Sequence, residues 1–143
     1  MTAKEYLSQI RSLDVKIAHM EEELKGLREK AVSTSQVFSA DRVQTSVNGD
    51  RMAKLVDACL DLEAEIAKMC IYLLQQRLKI VSEIHRLSDY RYIELLYWKY
   101  VCNKRLEDVA ETMRKRNGES YSYEHILALH GEALRAFAEI MPV

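Results

Sequence analysis

The sequence has little of what bends or breaks a chain: one proline and four glycines in 143 residues. That scarcity excludes β-sandwiches and barrels, which need turn residues at regular intervals. Cysteine is also sparse. Cys59, Cys70 and Cys102 form neither an even set nor a Cys-x-x-Cys pair, so neither a disulfide framework nor a zinc site is expected. Cys59 and Cys70 lie eleven residues apart, three helical turns, and read as buried free thiols on one helix face. No apolar run approaches the ~18 residues of a membrane span, and the N-terminus carries no secretory pattern. Excess charge of one sign is absent as well. With 21 Lys+Arg against 22 Asp+Glu the formal net charge is -1, so attraction to nucleic acid or an anionic membrane has to come from a local patch. There is no glycine-rich phosphate loop, no plausible Ser/His/Asp order and no His-Glu-x-x-His. The expectation is a cytoplasmic protein that is not an enzyme and needs no cofactor or metal.

What is abundant is helix-forming material, 48% hydrophobic and 30% charged residues, which predicts an all-α fold. Ile10, Leu13, Ile17, Met20, Leu24, Leu27 and Ala31 alternate steps of three and four, a heptad seam. Residues 32–48, rich in Ser and Thr, lack this period and read as a long loop, with Asn48-Gly49-Asp50 as turn and cap chemistry. A second seam follows Met52, Leu55, Cys59, Leu62, Ile66, Met69, Leu73, Gln76 and Ile80, then Ile84 and Leu87. Leu60, Ile71, Leu74, Leu78 and Val81 widen that stripe beyond a two-stranded seam. This helix is therefore expected to meet the first helix antiparallel, plus either the C-terminal region or a second chain.

At Leu87–Asp89 the character changes, and a domain boundary is expected there, dividing 1–87 from 88–143. Ser88 or Asp89 can cap a new helix, and Tyr90, Tyr92, Tyr97, Trp98 and Tyr100 read as a small aromatic core. Two helices follow, about Leu106–Arg116 and Tyr123–Met141, closed by Pro142. Two short helices with a small residue, Ala110, inside the first form the outline of a helix-turn-helix, whose second helix enters the major groove.

The segments "YIELLYWKYVCNKRLEDVAETM" and "SYSYEHILALHGEALRAF" resemble the sigma-70 region 4-like helix-turn-helix of small phage and prophage transcriptional regulators, the group that includes the ArpU and RinA types. "DRVQTS" and "LVDACLDLEAEIAKM" are similar to the N-terminal portion of the same family, so the likeness covers about residues 41–138. The resemblance implies a DNA-binding regulator in a bacterial host cell, with double-stranded DNA and RNA polymerase as partners. Two departures stand out. "RKRNGE", residues 114–119, is inserted where the family has a short turn, and it either lengthens the first helix, with Gly118 as its cap, or forms a basic wing. The outer face of the second helix carries Glu124, Glu132 and Glu139 against Arg135, a poor phosphate surface.

The candidate DNA-binding set is Lys104, Arg105, Arg114, Lys115 and Arg116 for phosphates, with Tyr121, Ser122 and His125 at the groove. His130 points toward the core and is expected to bond a carbonyl or a tyrosine. Gly131 costs ~1 kcal/mol in a helix interior unless another group approaches it closely. Two alternatives remain beside DNA reading: an adaptor that docks to RNA polymerase or another factor, and a small-terminase-like packaging protein. A homodimer through the coiled coil is a further expectation, but a packaging protein of that kind assembles into rings, and a monomer or dimer argues against it.

Overall fold

The computed structural model describes residues 1–40 and 46–142, with the side chains of 34–40 and 46–48 left aside. Every regular element in it is helical: α1 (Ala3–Ala40), α2 (Ser46–Ile84), α3 (Tyr90–Leu96) with a wider π-helical turn at Tyr97–Val101, α4 (Leu106–Thr112) and α5 (Tyr123–Ile140). No helix among the described residues is long and apolar enough to cross a membrane. The expected loop over 32–48 is largely helix instead, since α1 runs to Ala40 and α2 starts at Ser46. Ser, Thr and Val cost only a few tenths of a kcal/mol per residue in a helix, too little to stop one without proline. Asn48, Gly49 and Asp50 accordingly lie inside α2. What remains of the expected loop, 41–45, lies outside the described residues.

The chain divides into two compact units, Val15–Leu74 and Met1–Asp14 with Gln75–Val143. This differs from the boundary expected at Leu87–Asp89. The chain does turn there, between α2 and α3, but the apolar ends of the long helices continue into the C-terminal core. Ala3, Leu7 and Ile10 of α1, and Ile80 and Ile84 of α2, join one buried cluster with Leu95, Val109, Leu129 and Phe137. A three-helix element of some fifty residues gains the extra apolar surface that a small domain needs.

In this larger unit α1 starts with a reciprocal capping box. The Thr2 N–H donates to Glu5 Oε2 (2.8 Å) and the Glu5 N–H to Thr2 Oγ1 (3.2 Å). Asp14 pairs with Arg77 at 2.6 Å. The Tyr6 hydroxyl donates to Glu83 Oε2, and Glu83 is only 6% exposed. Asp89 caps α3 as expected, its Oδ1 accepting the Arg91 N–H at 2.9 Å. The Arg91 guanidinium, bonded to Oδ2 at 2.8 Å, holds the Asp89 carboxyl below the usual range.

The aromatic cluster packs as a core, with Tyr100 buried and Tyr92, Tyr97 and Trp98 against it, while Tyr90 is exposed. Helix α3 ends in the π turn, where the Cys102 N–H reaches Tyr97 O (3.0 Å), and Asn103 closes it at φ 57°. Asparagine tolerates that left-handed backbone better than most residues. The extra residue in this turn leaves no mark on the hydrophobic periodicity, so the sequence carries no signal for it.

His130 meets the tyrosine expected of it. Its Nε2 lies 2.9 Å from the Tyr100 hydroxyl, with the rings stacked at 5.9 Å. Burial lowers the His130 pKa, with Lys99 and Lys4 adding to the effect, and burial pushes the Tyr100 hydroxyl up to about 12. A histidine depressed in the native state is protonated first in the unfolded chain, so its contribution to stability is full above about pH 6.5 and is lost as pH falls through the native value. Urea midpoints measured from pH 7.5 down to 5 should therefore fall more for the wild type than for His130→Gln. Equal slopes would mean that His130 does not carry the pH dependence.

The unit Val15–Leu74 is a pair of helical segments. Grooves along it are lined by Lys16 and Met20 with Met69, Tyr72 and Leu73, and by Glu22–Lys30 residues with Leu62 and Ile66, so one segment rises as the other falls: the pair is antiparallel. Arg28 and Glu63 bridge it at 2.8 Å. The first seam holds: Ile17 is buried, and Met20, Leu24, Leu27 and Ala31 are half-buried. On α2 the covered positions are Met52, Val56, Cys59, Glu63, Ile66, Ala67, Cys70 and Leu73, whereas the expected Leu55, Leu62 and Met69 are 42%, 54% and 52% exposed. The apolar band of α2 is broader than one partner helix can cover, so the covered strip sits to one side of the expected seam. Cys59 and Cys70 are free and half-buried rather than buried, and Cys102 is exposed.

Candidate nucleic-acid interface

Helix α4 stops at Thr112, not at Arg116, because Met113 turns extended (φ -73°, ψ 147°) and buries its side chain to 1% exposure. The Arg114 guanidinium then bends back to donate to the carbonyls of Glu111 and Met113, satisfying the free end of α4. From there the inserted segment doubles back in a tight turn closed by a single isolated bridge. Arg114 and Ser120 make an antiparallel bridge, the Lys115 N–H donates to Glu119 O (2.8 Å), and the Gly118 N–H to Lys115 O (2.9 Å). Arg116 and Asn117 occupy the tip, and Gly118 takes φ 85°, the left-handed position that follows a type I turn in three-residue hairpins. The Asn117 side chain accepts the Glu119 N–H at 3.0 Å. Of the two shapes expected for "RKRNGE", the helix extension does not form, and the segment turns back on itself instead.

The turn rests against the start of α5. Lys115 Nζ lies 5.6 Å from the centre of the Tyr121 ring, and Tyr121 meets His125 edge-on at 4.9 Å. Tyr121, expected at the groove, is 8% exposed and belongs to the core, since its ring is what the turn stands on. Ser122, also expected at the groove, is the cap of α5: its hydroxyl accepts the His125 N–H at 3.1 Å. His125 is exposed in the first turn of α5, and Arg116 is exposed near the tip of the inserted segment.

The structure thus brings Lys115 and His125 to the Tyr121 ring, with Arg114 and Arg116 adjoining Lys115 in the chain. Lys104 and Arg105 precede α4, and both are already engaged within this region. Lys104 Nζ sits 4.4 Å over the Trp98 ring and within 3.4 Å of Thr112 Oγ1. Arg105 is held by Asp108 (3.3 Å) and Glu107 (3.7 Å). A cation stacked on an indole or paired with carboxylates is partly neutralised before any phosphate arrives. The signal that could have found the pillar role of Tyr121 is its spacing, four residues before His125 and one before a Ser cap.

Along α5, Ile126, Leu129, Ala133 and Phe137 are buried, as its periodicity predicts. Glu124, Glu132, Arg135 and Glu139 are exposed on the other side, and the Tyr92 hydroxyl donates to Glu132 (3.3 Å). Gly131 has no close neighbour to excuse it. A Cβ built there meets only Arg135 Nη1, at 3.8 Å. Gly131→Ala is therefore expected to stabilise the protein by about 0.5–1 kcal/mol in urea unfolding.

No group of three His, Cys, Asp or Glu among the described residues is placed to hold a metal ion. The chain matches no protein-family model, and no curated protein or solved structure is significantly similar to it.

Proposed function

We propose that this protein binds double-stranded DNA through α4, α5 and the basic turn between them, as a transcriptional regulator of the phage and prophage kind. The observation that carries the reading is the turn itself, which exposes Arg116 near its tip in the segment leading into the capped N-terminus of α5. Guanidinium and ammonium groups there contact phosphates, the positive end of the α5 dipole adds to them, and His125 stands one turn into the helix, where base edges are read. The acidic outer face of α5 limits direct readout, so affinity comes mostly from the backbone. Binding of random duplex DNA, followed by fluorescence anisotropy against salt, should be weak and steeply salt-dependent. Changing Arg114, Lys115 and Arg116 together to Ala should lower affinity by at least ~10-fold at low salt. The same change should flatten the log–log salt slope by roughly one for each phosphate left without its cation. Binding that ignores the triple change would sink the role of the turn.

A second reading draws on Glu124, Glu132 and Glu139, exposed along α5. Such a face suits a basic protein surface, and an adaptor docking to RNA polymerase through it would lose binding to the polymerase when all three become Gln, with DNA binding unaffected.

A further inference from the structure

The unit Val15–Leu74 is a helical pair without a closed core: Ile17 is its one buried hydrophobic residue among those described. A single layer of two helices leaves apolar surface that has to be covered from outside. On α2 that surface is ordered. Leu60, Ala64, Ala67, Ile71 and Leu74 follow steps of four, three, four and three, a heptad stripe whose centre lies roughly 80–90° around the helix from that of the covered strip; Ala67 is half-buried and the other four are exposed. Leu60, Ile71 and Leu74 are 57%, 55% and 46% exposed. In the sequence the same spacing runs on to Leu78, itself 65% exposed. Leu62 and Met69, by contrast, line grooves shared with α1 on the other flank.

We infer that this stripe is the dimer interface, and that its occupant is the same stripe of a second copy, running antiparallel. The order of large and small residues singles out that partner. About a two-fold axis near Met69, Ala64 falls opposite Leu74, Ala67 opposite Ile71, and Leu60 opposite position 78, a leucine. Each small residue then meets a large one, as interlocking layers require. A parallel pair stacks alanine on alanine in two successive layers. An antiparallel shift by seven residues sets Leu74 against Asp57. The three large side chains of the stripe within the unit, Leu60, Ile71 and Leu74, each about half exposed, leave on the order of 300 Å² per protomer, a contiguous apolar patch of the size that marks an interaction surface. Charge does not oppose the pairing, because Lys68, which flanks the axis, has Glu65 within 3.7 Å on its own helix. The product is a four-helix arrangement in which two thin layers close on each other.

Sedimentation of the full chain in the micromolar range tests this. A reversible dimer is expected, and Ile71→Glu or Leu74→Glu should raise its Kd by at least about 100-fold with helical circular dichroism unchanged. Leu62→Glu, on the other flank, should leave the Kd within about 3-fold. A wild-type monomer, or a Leu62→Glu variant that dissociates equally, overturns the inference. Orientation is read in a background with Cys59, Cys70 and Cys102 changed to Ser. A short bismaleimide should then link Lys68→Cys protomers to each other and fail to link Leu60→Cys protomers; the reverse pattern overturns the antiparallel arrangement.

Discussion

Phe137→Ala should cost about 3–5 kcal/mol in urea unfolding, the range for removing a fully buried aromatic side chain. Phe137 has no exposed surface and lies with its ring 5.9 Å from that of Tyr6, so it touches α1 as well as the helices near it in sequence. A cavity at that point loosens α5 from α1. Domains of this size are stable by only about 5–15 kcal/mol, so the loss is a large share of the total. Phe137→Leu, which keeps most of the volume, should cost no more than about 1.5 kcal/mol. If the alanine and leucine variants unfold at the same urea concentration, packing at Phe137 does not hold α1 to α5.

Tyr6→Phe should be nearly as damaging, at about 3 kcal/mol, though it removes one oxygen. Glu83 accepts the Tyr6 hydroxyl from a position only 6% exposed, and taking away the donor leaves its carboxylate desolvated with no replacement partner. Burial and the neighbouring carboxylate hold the Tyr6 hydroxyl well above the usual tyrosine range, so the proton it donates stays in place through alkaline pH. The cost belongs to the orphaned acid more than to the missing bond. Adding Glu83→Leu to Tyr6→Phe should therefore recover most of the stability, and a double-mutant cycle should show coupling of at least ~1 kcal/mol. Strictly additive effects would mean that water replaces the tyrosine.

Residues whose role is set by neighbours in the chain were legible in the sequence. The 3–4 spacing from Ile10 to Ala31 marked the covered face of α1, Asp89 marked the start of α3, and the burial of Ile126, Leu129 and Phe137 followed from winding α5. The question whether "RKRNGE" extends α4 was posed by Asn117-Gly118 and decided only by Met113, whose burial ends α4 early. What stayed hidden depends on partners distant in the chain. Leu55, Leu62 and Met69 make the more apolar heptad, yet the strip turned to α1 runs through Val56, Glu63 and Cys70, with Arg28 pairing to Glu63. Tyr121 looks like a groove residue until Lys115 and His125 are seen to lean on its ring.

The packing of Tyr6 against Phe137 has a consequence in time. A ribosome makes the two about 130 residues apart, which at ~5–20 residues per second is a delay of several seconds to half a minute. The helical pair Val15–Leu74 is finished well inside that interval and can form as soon as it emerges. Leu7 and Ile10 can meet Ile80 and Ile84 before then, but the cluster they share stays incomplete until Leu129 and Phe137 of α5 arrive. A nascent chain stalled before Ile126 should therefore hold a formed helical pair and a partly uncovered apolar cluster, the kind of surface to which a chaperone binds.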